Sequence, residues 1–239
     1  MNNSILVEDI LKIWPVVPGT LLLSALILLL GIILGLVLNH FRDHGGIGKG
    51  FVNLYLSYFR GIPLLIHLFV FYYGLPLLLT STLPHIMKVN EIALQRISPL
   101  YAIIISYSLY TAAFVTEIIR GAFSAVEQGQ LEAATVLGYT KWQKLIYIEI
   151  PQALTEAVPK LLNYYLLLVR QLSLAFMVSF VDIFAQAQLQ SASNYRYIES
   201  YVAAAVVYWS ICVVLTIGFR RIEKWLNRYQ NSTNIIRDI

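Results

Sequence analysis

Apolar residues in this chain fall in long continuous runs, not in the period-two alternation of half-buried strands or the narrow stripe of a surface helix. A hydrocarbon core about 30 Å thick is crossed by roughly 20 apolar residues in a helix. The first such run extends from about Val16 to Leu38, through LLLSALILLLGIILGLVL, without a charge. Further runs cover about Phe51–Leu79, Leu100–Ile119, Ala153–Phe180 and Tyr201–Phe219. The pattern predicts an all-α membrane protein with five transmembrane helices. The fourth run holds Glu156, Lys160 and Arg170, so a partly interfacial helix is its alternative, but LLNYYLLLV and LAFMVSFV bracket a single basic residue. The first run follows Glu8, Asp9 and Lys12 instead of a basic cluster, is too long for a signal-peptide core, and precedes no small-residue cleavage site, so it reads as a retained span.

Composition strengthens this reading. Of 239 residues, 58% are apolar and only 13% charged, with a mean hydropathy of +0.68. Soluble domains carry about 25% charged residues; half that leaves too little polar surface to cover a water-facing fold. Disorder is excluded for the same reason. Cys212 is the single cysteine, so no disulfide framework exists. The net charge of +4 suits a membrane protein with a basic inner side better than a nucleic-acid binder. With the N-terminus outside, Lys12, Lys88, Arg96 and Arg196 lie outside, whereas Arg42, Lys49, Arg60, Arg120, Lys141, Lys144 and the basic residues from Arg220 to Arg237 lie inside. Lys160 and Arg170 belong to a span. This asymmetry predicts N-terminus out and C-terminus in. Residues 1–239 read as one transmembrane domain, with its larger breaks at Thr80–Pro99 and Gly121–Ile150.

Candidate catalytic chemistry is lacking. Gly45-Gly46-Ile47-Gly48-Lys49-Gly50 imitates a phosphate loop, but Asp43 stands where the first glycine is needed and Gly50 where Ser or Thr is needed. It reads as a flexible turn between spans. His40, His44, His67 and His85 lack metal-ligand spacing, so no metal site is expected. No G-x-S-x-G serine and no carboxylate pair in a membrane face is present, and the chain is not expected to be an enzyme.

The inside segment GAFSAVEQGQLEAATVLGYTKWQKLIYIEIP is too apolar for a solvated loop. Its alanines and leucines predict a short helix over Gln130–Leu137, ended by Gly138 as a left-handed cap, and a second helix from about Lys141. Such a helix suits docking into a groove on a cytoplasmic partner; lying on the bilayer surface explains its apolar face equally well.

Glu132-Ala133-Ala134, three residues, Gly138, nine residues and Ile148-Glu149-Ile150-Pro151 resemble the EAA loop of ATP-binding-cassette (ABC) importer permeases, departing only at Ile150, where the family has Leu. Phe59-Arg60-Gly61-Ile62-Pro63-Leu64-Leu65, Phe71-Tyr72-Tyr73-Gly74-Leu75-Pro76 and Ala112-Ala113-Phe114-Val115-Thr116-Glu117-Ile118-Ile119-Arg120-Gly121 resemble motifs of the polar amino acid subfamily. The likeness extends from about Pro18 to Leu226. It implies a type I importer permease whose EAA loop, through Glu132, Ala133, Ala134, Gly138 and Pro151, couples to an ATPase. It also implies two cytoplasmic ABC ATPase subunits that bind ATP and Mg, a second permease copy or close relative, and an extracytoplasmic substrate-binding protein. No cofactor is expected in this chain itself, and its lipid setting would be the cytoplasmic (inner) membrane of a prokaryote.

The fourth span departs from the subfamily pattern G-N-E-F-I-x-L-L-K-D-T-S-L. Asn163, Ser173 and Leu174 stand and Arg170 keeps the positive charge, but Tyr164 replaces Glu, Gln171 replaces Asp and Leu172 replaces Thr. A charge at mid-membrane costs about 2.5–3.5 kcal/mol, so Arg170 is expected to be paired or to line a wet cavity. Asn163 lies on the same helical face, seven residues earlier. Asn163, Tyr164, Arg170, Gln171 and Ser173 are thus candidates for the substrate path. Without the carboxylates, neutral, anionic or cystine-like amino acids rank above cationic ones. A structural role for Arg170, at the interface or paired with Glu156 or Glu117, stays open, and Glu117–Arg120 reads as a local ion pair. The rival reading is an ATP-independent secondary transporter or channel for small polar solutes, which would leave the EAA loop unexplained.

Overall fold

The computed structural model describes residues 3–43, 45–86 and 98–234, and every regular element in them is helical. The order is α1 (Asn3–Ile13), α2 (Val17–Asp43), α3 (Gly46–Gly61), α4 (Leu64–Ile86), α5 (Pro99–Ser124), α6 (Gln128–Val136), α7 (Lys141–Lys144), α8 (Ile150–Gln171), α9 (Ile183–Asn194) and α10 (Tyr197–Asn234). Lipid-facing backbone must satisfy its own hydrogen bonds, which is why so apolar a chain is built of helices. Among the described residues, four helical stretches are long and apolar enough to cross a membrane; they become five if the bent pair α3 and α4 counts as one span.

α5 forms the hub. It packs against α2, α3, α4 and α8, and its Ile103, Tyr107, Ala112, Ala113 and Val115 are fully buried. Leu23 and Ile27 of α2, Leu64 and Leu68 of α4, and Leu168 of α8 close around Ile103 and Tyr107 as the central core. A second core joins Ile13 and Val17 to Ile183 and Ala187 of α9 and to Ala203, Val207 and Ile211 of α10. The outer surface stays apolar: Leu22, Leu29, Trp209 and Val214 are all more than half exposed, as expected where lipid is the solvent. α2 and α5 approach unusually closely. A Cβ on Gly31 would collide with the Thr111 side chain, and one on Gly35 would lie 2.9 Å from Val115 Cγ1. Small residues four apart let membrane helices approach in this way.

The structure corrects the reading of the glycine run and adds a bend to the second span. The stretch is not one helix: α3 and α4 meet at a 105° bend, where Pro63 follows Ile62 in extended conformation. Proline cannot donate a backbone hydrogen bond, and it drives its predecessor out of the helical region. Nor is the glycine run a flexible turn. Gly45 (φ 72°) and Gly46 (φ 61°) make the reversal, and Ile47–Gly50 already belong to α3. His44 lies outside the described residues, as does 87–97 of the segment between α4 and α5.

The apolar pattern of the sequence does not mark α9. Asp182 caps it, accepting from the Ala185 amide at 2.9 Å, and also accepts from the Tyr208 hydroxyl of α10 at 2.8 Å. α1 is held similarly: the Ser200 hydroxyl donates to Asp9 at 2.7 Å, with both residues buried.

Candidate functional site

The EAA segment forms a helical hairpin at one end of the bundle. α6 ends as a Schellman motif: Gly138 takes φ 82°, the Tyr139 amide donates to Ala134 O at 3.0 Å, and the Gly138 amide donates to Thr135 O at 3.1 Å. Positive φ favours glycine because it has no Cβ, and the motif satisfies carbonyls the helix leaves open. Thr140 then opens α7 with a capping box to Gln143, and a π-helical turn over Leu145–Glu149 leads into α8. Two side-chain bonds brace the hairpin. Gln152 Nε2 donates to Gln130 Oε1 at 2.6 Å, and Lys144 Nζ donates to Thr135 Oγ1 at 2.9 Å.

Ala134 is the buried anchor of α6 at 3% exposure, while Glu132, Ala133, Gly138 and Pro151 are exposed. Val136, Leu137 and Trp142 project outward at 88, 76 and 73% exposure. The hairpin therefore presents an apolar tip that nothing among the described residues covers.

A polar cluster lies just inside this end of the bundle. Arg42 Nη1 meets Glu117 Oε1 at 2.6 Å, and Arg120 Nη2 meets Glu117 Oε2 at 2.7 Å. Sequence spacing offers Arg120, and as an alternative Arg170, as partners of Glu117; Arg42, 75 residues earlier, joins Arg120 there through the packing of α2 on α5. Arg60, at the end of α3, places its guanidinium 5.9 Å from the Phe114 ring centre. Tyr164 stacks on the same ring at 5.7 Å, and Tyr110 lies against it at 5.0 Å. Two cavities meet at this ring. One, of about 550 Å³, is lined by Arg42, Asn53, Ser57, Arg60, Phe114 and Glu117 among others. The other, of about 290 Å³, adds Lys160 and Tyr164.

The five fourth-span candidates separate. Tyr164 lines a cavity and is buried. Asn163 and Arg170 are exposed on α8, where residues seven apart share a face. Arg170 lies about 9 Å beyond Tyr164 along the axis at 1.5 Å per residue, and its Nε donates to its own helix at Leu166 O, 3.1 Å away. Glu156 pairs with Lys160, and Glu117 with Arg42 and Arg120, so Arg170 has neither as its partner. The Gln171 carbonyl accepts from Tyr107, and Ser173 donates to Arg170 O.

This architecture is that of an ABC-importer permease. The chain belongs to the family described as binding-protein-dependent transport system inner membrane component, which it matches over residues 10–228. It is 38% identical over 165 residues to the probable amino-acid permease protein YxeN of Bacillus subtilis, covering 69% of this chain and 68% of that protein. It is also 34% identical over 220 residues to the L-cystine transport system permease protein TcyL of Bacillus subtilis, covering 92% and 88%. The crystal structure of an amino acid ABC transporter with histidines superposes with a TM-score of 0.78 at 26% identity, covering 94% of this chain and 98% of that one.

Proposed function

We propose that this chain is the membrane permease subunit of an ATP-driven importer that takes a polar amino acid from an external binding protein across the cytoplasmic membrane of a prokaryote. The observation that carries the reading is the braced EAA hairpin, with its uncovered tip of Val136, Leu137 and Trp142, in a chain that matches the family over residues 10–228. Two cytoplasmic ATPase subunits grip these hairpins, bind ATP and Mg, and drive the spans between inward- and outward-facing states. A second permease copy or close relative completes the pathway, because five spans do not enclose an alternating-access route alone. The exposed stripe of Lys160, Asn163 and Arg170 on α8 suits a face toward that second copy. Neutral, anionic or cystine-like cargo ranks above cationic cargo, as Tyr164 and Gln171 stand where the resemblance has carboxylates; the name of TcyL agrees with this ranking. The secondary-transporter reading has no comparable support.

The test is uptake by the assembled transporter in vesicles. Glu132→Lys or Gly138→Asp is expected to uncouple it, lowering ATP-dependent uptake at least about tenfold, as losing a buried contact of about 1.4 kcal/mol would, while membrane insertion stays intact. Wild-type uptake and ATPase co-purification in both variants would remove the docking role. Vanadate is expected to stop uptake, and collapse of ion gradients to leave it running. A strong preference for labelled arginine or lysine would overturn the cargo ranking.

A further inference from the structure

The cavities meeting at Phe114 carry charges that the apolar bundle does not need for packing. α3 has three distinct faces. Val52, Leu56 and Phe59 are buried against α5, and Ile47, Phe51, Leu54 and Tyr58 form an exposed apolar face. Lys49, Asn53, Ser57 and Arg60 recur at spacings of four, four and three, so they share a face. At 100° per residue this polar stripe is centred about 135° around the helix from the apolar face. Polar residues in an otherwise apolar bundle face protein or a wet cavity, and the exposed Asn53, Ser57 and Arg60 of this stripe line the open 550 Å³ cleft.

The charges there are unequal. Arg42 and Arg120 share Glu117, and Lys160 has Glu156 at 3.1 Å. Arg60 has the Phe114 ring but, among the described residues, no ion pair. It is the surplus cation where the two cavities join, with Asn53 and Ser57 beside it. We propose that Arg60 receives the carboxylate of the amino acid cargo as it passes through the inner half of the permease. Phe114 holds the guanidinium plane, and Asn53 and Ser57 supply hydrogen bonds next to it. Arg170, held to its own helix further along α8, is not the carboxylate partner at this level. The proposal rests on the importer reading above.

The experiment compares wild type with Arg60→Lys, Arg60→Gln and Arg60→Glu in the complete transporter, reconstituted with its ATPase and delivery protein. The probes are the labelled standard amino acids and L-cystine. Assembly with the ATPase and cargo affinity of the delivery protein are measured for each variant. The expected order of uptake turnover is Arg, then Lys, then Gln, then Glu. Gln is expected to run about fivefold below wild type, as for one partly exposed charge contact; assembly and delivery-protein affinity stay unchanged. Equal turnover in Arg, Gln and Glu variants overturns the proposal. So does a Lys variant as poor as Glu, because stacking on Phe114 would then be the whole role. If the Arg-to-Glu difference vanishes in vesicles of pure phosphatidylcholine and returns with phosphatidylglycerol, Arg60 serves a lipid headgroup and the proposal falls. If the wild type itself imports no probe with ATP, the importer reading falls and takes the proposal with it; charge-blind variants of an active wild type overturn the proposal alone.

Discussion

Single residues decide how closely the helices can approach. Gly31 and Gly19 lie on the same helix, yet only Gly31 faces a neighbour, the Thr111 side chain; nothing lies within 4 Å of a Cβ on Gly19. Gly31→Leu is therefore expected to destabilise the protein by about 1–3 kcal/mol through overpacking. Gly19→Ala is expected to be neutral or to stabilise by up to about 1 kcal/mol, because a helical glycine is replaced without a clash. Thermal unfolding in detergent of the two variants checks this; equal effects would refute the close α2–α5 contact. Nothing in their sequence neighbours, VPGTLLL around Gly19 and LLLGIIL around Gly31, tells the two glycines apart. Gly138 is the opposite case. Its place after a short alanine-rich helix marks it as a left-handed cap in the sequence, and its φ of 82° agrees. A local backbone requirement leaves a local trace; a contact with Thr111, eighty residues later, does not.

At the level of elements, long apolar runs and proline positions were readable, and short polar helices were not. The sequence places Pro63 within its second span without showing that the chain would bend there by 105°. The missed helix α9 reads IFAQAQLQSASN, with neither a clear apolar period nor a charge pattern. It is held by Asp182, which is fully buried and serves both the α9 amide end and Tyr208. Asp182→Ala is expected to cost about 2 kcal/mol, combining a lost N-cap with an unpartnered tyrosine hydroxyl. Amide exchange in 183–194 is expected to quicken in this variant while α5 keeps its protection. Unchanged exchange in 183–194 would mean the helix is held by packing of Ile183, Ala185 and Ala187 alone.

For the whole molecule, the basic-residue asymmetry predicts the orientation, and the fold offers two exposed reporters of it. Trp142 belongs to the EAA hairpin and Tyr195 to the turn between α9 and α10, at 73 and 81% exposure. In a Cys212→Ser background, an impermeant thiol reagent is expected to label Tyr195→Cys in intact cells, and Trp142→Cys only after the membrane is opened. The reverse pattern would invert the topology. Sequence alone determined the all-helical membrane class and the hairpin at the EAA loop, because apolar run length, basic asymmetry and turn chemistry are properties of contiguous residues. Only the tertiary structure decided that Arg42 reaches Glu117, that Arg60 and Tyr164 meet across Phe114, and that Arg170 stands apart from them. Those pairings follow from which faces of α2, α3, α5 and α8 turn toward one another. That choice is made by packing among distant segments, where helical period gives each face but not its partner.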